Sequence, residues 1–156
     1  MNNSTMDQNR PHATVATIVE RNQKYLLVRE QRDGKIVYNQ PAGHIENGES
    51  VVQAAIRETL EETGWNILPT RFAGLSTYHA PNGISYLRST LIAEPLSQVA
   101  DAPLDEGILE AVWLDYEEIL MIEDQLRSPI VKKVIDDYRM GISYPLDILY
   151  EQSPIR

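Results

Sequence analysis

Glu58, Glu61 and Glu62 stand at i, i+3 and i+4, and Arg57 immediately precedes them. On a helix, which turns about 100° per residue, this spacing puts the three carboxylates on one face. They belong to the stretch from Gly43 to Trp65, GHIENGESVVQAAIRETLEETGW, which carries Glu46 and Glu49 as well and no Lys. Like charges so close repel, at a cost of a few tenths of a kcal/mol (~0.3) per pair. A hard divalent cation bound through oxygen is the simplest compensation. The plain alternative is an acidic helix face in water, which is what charge runs usually are.

These carboxylates must be held by a helix with defined ends. Ser50 is a candidate N-cap, and Gly64 can take the left-handed conformation that stops a helix. Between them runs an Ala-containing segment without Gly or Pro. Val52, Ile56, Leu60 and the methyl of Thr59 fall opposite the Glu face, so that side is expected to be buried. Arg57 lies one turn from Glu61 and can brace that face or reach back to Glu49.

Strands are expected before and after this helix. ATVATIVE after His12 is rich in β-branched residues, and Tyr25–Glu30 forms a second strand across a polar turn. Asp33-Gly34 marks a hairpin into Ile36–Tyr38, which Pro41 ends. Beyond the helix, strands are expected around 73–78 and over 85–94, with residues 95–108 as an acidic loop. A short strand over 110–114 enters a helix at 116–121. Ile130, Val131, Val134, Ile135 and Tyr138 recur at helical spacing, which predicts a helix over 129–140 ended by Gly141. Strands around one helix, with another at the end, point to an α/β fold with a mixed sheet covered on both faces.

The 156 residues suit one domain. A net charge of −9 without any basic run argues against a surface that coats nucleic acid. The chain has no Cys, which excludes disulfides and thiolate metal sites and fits a cytoplasmic protein. The polar start MNNSTMDQNRP lacks a signal-peptide core, and no apolar run approaches the roughly 20 residues of a membrane span. Residues 1–11 are expected as a disordered leader, 12–149 as the domain and 150–156 as a tail. The three His residues, 12, 44 and 79, lack metal-ligand spacing. His44 can touch phosphate or make a loop hydrogen bond.

The spacing from Gly43 through Glu49, Arg57-Glu58 and Glu61-Glu62 to Gly64 resembles the Nudix box, G-x5-E-x7-R-E-U-x-E-E-x-G-U. Every fixed Gly, Glu and Arg position is matched, while Thr59 and Trp65 occupy positions that are usually aliphatic. NQPAGH, YLRSTLIAE, LRSPIV and YRMGISYPL extend the resemblance to a bacterial Nudix phosphatase branch acting on nucleoside di- and triphosphates and hydroxymethylpyrimidine pyrophosphate. The resemblance implies an α/β/α sandwich and Mg²⁺-dependent (or Mn²⁺-dependent) hydrolysis of a small nucleotide-like diphosphate. The alternatives within it are action on dinucleoside polyphosphates or nucleotide sugars, or a non-catalytic binding module.

By the same resemblance, Glu58, Glu61, Glu62 and the Gly43 carbonyl hold metal, and Glu58 orients or deprotonates water. Arg57 joins the catalytic set, and with Glu49 it holds the loop against the helix. Relatives often add a loop carboxylate; among Asp105, Glu106 and Glu110, Glu106 is the first choice. Arg29, Tyr38, Gln40 and Arg88 are candidate substrate contacts, since Arg pairs with phosphate and Tyr stacks on a base. Monomer and homodimer are both compatible with the sequence.

Overall fold

A computed structural model describes residues 9–152. Residues 1–8 and 153–156, which include most of the expected leader and the end of the expected tail, lie outside the described residues. The strands are β1 (His12–Arg21), β2 (Lys24–Arg32), β3 (Lys35–Asn39), β4 (Ala42–His44), β5 (Trp65–His79), β6 (Ser85–Gln98), β7 (Ile108–Asp115) and β8 (Tyr144–Pro145). The helices are α1 (Val51–Thr63), α2 (Tyr116–Met121) and α3 (Pro129–Arg139). The strands run in the order β3-β2-β1-β6-β5-β8, with β4 paired to β1 and β7 to β2. Only β1 and β6 pair in parallel among these ladders of described residues, so the sheet is mixed.

Alternation along β1 assigns its two faces. Val15 packs with Ala54 and Ala55 of α1, whereas Ile18 packs with Ile119, Val134 and Ile135 from α2 and α3. Helices therefore cover both sides of the sheet, giving the expected α/β/α sandwich. Pro129 at the start of α3 has the fixed φ that suits a first helical position, and Val131, Val134 and Ile135 form its buried stripe.

Three local expectations need correction, and two short strands were not foreseen. The buried face of α1 is Ala54, Ala55, Thr59, Glu62 and Thr63, while Val52, Ile56 and Leu60 are half-buried. Small side chains let the helix approach the sheet closely, and Thr59 Oγ1 lies 2.9 Å from Thr17 Oγ1 on β1. β5 starts directly at Trp65 and runs through Pro69, because irregularities between Pro69 and Arg71 and between Phe72 and Gly74 absorb the disruption. β6 continues to Gln98, so the expected 95–108 loop is shorter. Finally, β4 and β8 are short strands without a period-two signal; each exists through pairing to β1 or β5.

Candidate active site

α1 begins with a reciprocal cap in which Gln53 N–H donates to Ser50 Oγ at 3.0 Å and Ser50 N–H donates to Gln53 Oε1 at 2.9 Å. It ends at Gly64, whose φ of 76° is left-handed and whose N–H donates to Leu60 O. The Glu set is thus fixed on a helix with both ends satisfied. Gly43 lies on β4 opposite Val15, and a Cβ built on it would fall on the Glu58 carboxylate. Only glycine leaves room for that carboxylate against the strand.

Glu58, Glu62 and Asp105 each place a carboxylate oxygen within 4.8 Å of one another. The loop carboxylate brought to the helix is therefore Asp105, whereas its neighbour Glu106, expected as the first choice, is not a member of this cluster. Asp105 N–H donates to Glu61 O at 3.1 Å, which anchors the loop on α1. Glu110 lies farther along and pairs with Arg29, Nε to Oε1, at 2.8 Å. Glu61 is also outside the cluster, its carboxylate 3.1 Å from Arg57 Nη1.

Arg57 is the hub. Its Nε and Nη2 donate to the two oxygens of Glu49 at 2.6 and 2.9 Å, a bidentate fork. Nη1 donates to Glu58 Oε1 at 2.8 Å, and Nη2 also donates to His44 O at 3.0 Å. Glu49 is held below the usual carboxylate range, chiefly by this Arg57 contact, and Arg57 is held firmly in its charged form by the same bonds. Glu46 N–H donates to Glu49 Oε1, closing the loop. His44 itself lies 2.9 Å, Nε2 to Nδ1, from His12.

Glu62 accepts from Ala42 N–H at 2.8 Å and is 7% exposed. Burial pushes its carboxyl up to about 8; the Ala42 bond opposes this, and the charges of Glu30, Glu58 and Asp105 add to it. Glu58 is also raised, first by burial, against the pull of Arg57. A folded-state value above the unfolded one means that the native form holds the proton longer. The metal-free protein should therefore lose stability as pH rises from about 4.5 to about 8, with the Glu62 contribution complete below that window and gone above it. Thermal unfolding in chelator between pH 5 and 9 measures this, and Mg²⁺ should restore the loss at pH 8. A midpoint difference between wild type and Glu62→Gln that does not change with pH would refute it.

The expected substrate residues divide into two groups. Arg29 and Tyr38 face each other across β2 and β3, both partly accessible. Gln40 and Arg88 are buried and engaged with each other: Arg88 Nη2 donates to Gln40 Oε1, and Nη1 to Asn39 Oδ1 at 3.3 Å. Gln40 Nε2 in turn donates to Val131 O at 2.8 Å, tying the segment before β4 to α3. Burial lowers Arg88 to about 10, with Arg127 acting in the same direction and Glu62 opposing it. Its Nε and the Thr90 hydroxyl are buried without hydrogen-bond partners. The sequence did not mark Glu30, a 1% exposed carboxylate paired with Arg127 at 3.1 Å and Arg32 at 3.3 Å, because its neighbours come from distant segments.

The chain that carries this cluster is similar to known proteins over most of its length. The NUDIX domain model fits residues 9–137. The chain belongs to the Nudix hydrolases. Phosphatase NudJ of Escherichia coli K12 is 41% identical over 141 residues, covering 90% of this chain and 91% of the relative. A NUDIX hydrolase structure from Nitrosomonas europaea superposes with a TM-score of 0.89 at 44% identity, covering 92% of this chain and 98% of that one. A UDP-X diphosphatase structure, with TM-score 0.70 and 17% identity over 85% of this chain and 64% of that one, shares the fold. Among the described residues of this Nudix hydrolase no helix is long and apolar enough to cross a membrane.

Proposed function

We propose that this Nudix hydrolase cleaves phosphoanhydride bonds in nucleoside di- or triphosphates, or in related pyrimidine pyrophosphates, with Mg²⁺ as the preferred ion and Mn²⁺ as a substitute. The observation that carries this reading is the Glu58–Glu62–Asp105 cluster. Its donors are all hard oxygens, two of them largely buried without enough positive charge, which suits Mg²⁺ rather than a softer ion. Glu58, Glu62, Asp105 and the Gly43 carbonyl would hold the ion, with Glu61 as the outermost carboxylate of the set. When bound, the ion neutralises the diphosphate and makes water more acidic.

The chain's own residues do the rest. Glu58, aimed by Arg57, accepts the proton of the attacking water, and Glu62 is kept in place by the Ala42 amide. Arg29 and Tyr38, partly accessible on β2 and β3, meet the substrate, whereas Gln40 and Arg88 are buried and engaged with each other. The relative named Phosphatase NudJ favours phosphate as a product. Phosphate release from a panel of nucleoside di- and triphosphates, pyrimidine pyrophosphates, dinucleoside polyphosphates and nucleotide sugars, with Mg²⁺ or with chelator, tests the proposal. Turnover of the first two classes, abolished by chelator, is expected. Turnover confined to the last two would move the substrate class, and no turnover on any would remove the reading.

A further inference from the structure

α3 starts in an unusual way. Ser128 is its N-cap residue, yet the hydroxyl makes no capping hydrogen bond, although such a residue normally turns its oxygen onto a first-turn amide. Ser128 is only 8% exposed and lines a cavity of about 540 Å³. Pro129 contributes no N–H, so the Ile130 amide is left at the positive end of an 11-residue helix without a capping acceptor. Arg127, Lys132 and Lys133 line the same cavity, in a chain of net charge −9.

The cations are not bare. Arg127 pairs with Glu30 at 3.1 Å, Lys132 with Asp136 at 2.8 Å, and Lys133 with Asp137; Glu123 and Asp136 also line the cavity. Each of these contacts uses one N–H, whereas an ammonium has three N–H bonds and a guanidinium five. The remaining donors of Arg127, Lys132 and Lys133 and the Ser128 side chain all belong to residues that line this one cavity. A planar carboxylate would satisfy only an Arg fork, while a tetrahedral oxyanion can meet several separate donors.

We propose that the cavity at the start of α3 is an anion-binding subsite for a phosphate group, formed by Ser128, Arg127, Lys133 and the first-turn amide of Ile130. It is distinct from the carboxylate cluster and does not depend on the metal. It is joined to the segment leading into β4 by one backbone and one side-chain hydrogen bond, since Arg127 N–H donates to Tyr38 O at 2.8 Å and Gln40 Nε2 donates to Val131 O at 2.8 Å. The phosphate is either free or carried by a nucleotide.

The test titrates inorganic phosphate into the full chain in chelator, at constant ionic strength, while following backbone amide shifts. Saturable shifts centred on Ser128, Ile130 and Val131 are expected. Ser128→Ala removes no hydrogen bond that the folded chain makes, so its melting temperature without phosphate should match wild type. Its phosphate affinity should fall about five-fold, as should that of Lys133→Gln. A parallel titration with AMP identifies the source: binding at least about ten-fold tighter than phosphate, at the same amides, assigns a nucleotide phosphate, and equal binding assigns the free anion. Shifts confined to residues 43–62, unchanged affinity in both variants, or no saturable shift would each overturn the proposal.

Discussion

Glu62→Gln should leave a folded protein whose turnover falls by about 1,000-fold, because a metal carboxylate contributes several kcal/mol and each 1.4 kcal/mol is about tenfold in rate. The side chain keeps its length, and an amide oxygen can still accept the Ala42 N–H that Glu62 Oε1 now receives at 2.8 Å. What disappears is a charge that burial already disfavours and that faces Glu30, Glu58 and Asp105. The metal-free variant should consequently melt higher than wild type at pH 8, by a free-energy difference of about a few kcal/mol, and the two should converge toward pH 4.5. Opposite signs for stability and turnover identify a residue kept for function at the expense of the fold. Near-normal turnover with Mg²⁺ would show that Glu62 is not in the ligand set.

Arg57→Met should do the reverse, destabilising the fold and the catalytic geometry together. Methionine keeps much of the apolar stem but removes every donor. Glu49 and Glu58, with side chains only 14% and 12% exposed, then lose their counter-charge, and Glu61 loses its i−4 partner. Breaking a fully buried pair costs about 3–5 kcal/mol. The Arg57 side chain is 22% exposed, so partial screening reduces this to about 2–3 kcal/mol. For a chain of this size that is a fall of about 5–10 °C in melting temperature without metal. Turnover should drop about 10- to 100-fold, since Glu58 is no longer aimed. Mg²⁺ should recover part of the stability, because a cation among the same carboxylates replaces the missing charge, but not the turnover. Arg57→Lys retains charge without the fork on Glu49 and should fall between. A metal-free melting temperature within about 1 °C of wild type would mean the hub carries no net stability.

The two variants bracket how α1 works. Its carboxylates are mutually repulsive and partly buried, and Arg57 offsets the outer ones while leaving the inner pair, Glu58 and Glu62, with raised affinity for protons. Carboxylates whose affinity for protons is raised by burial and by one another are also ones that a divalent cation can occupy with gain, since metal binding displaces protons.

What the sequence determined by itself was short-range. Ser50 and Gly64 act on amides within four residues, so the limits of α1 follow from local chemistry, to which the structure adds Gln53 as the returning half of the cap. The i, i+3, i+4 placement of the Glu set follows from helix geometry alone, and the resemblance to the Nudix box adds Gly43 and Glu49. Tertiary structure decided the matters in which competing choices have similar local energies. Asp105 and Glu106 are adjacent acids of one loop, and the hydrogen bond from Asp105 N–H to Glu61 O helps decide which of them joins the carboxylates of α1. Of the side of α1 expected to be buried, Thr59 is fully so and Val52, Ile56 and Leu60 only half, while Ala54 and Ala55 are buried beside it, because close approach to β1 favours small side chains. Arg88 alternates inward on β6 to meet Gln40, a partner 48 residues away that no periodicity could name. In each case the deciding contact joins segments far apart in the chain, so its energy exists only once the sheet has assembled.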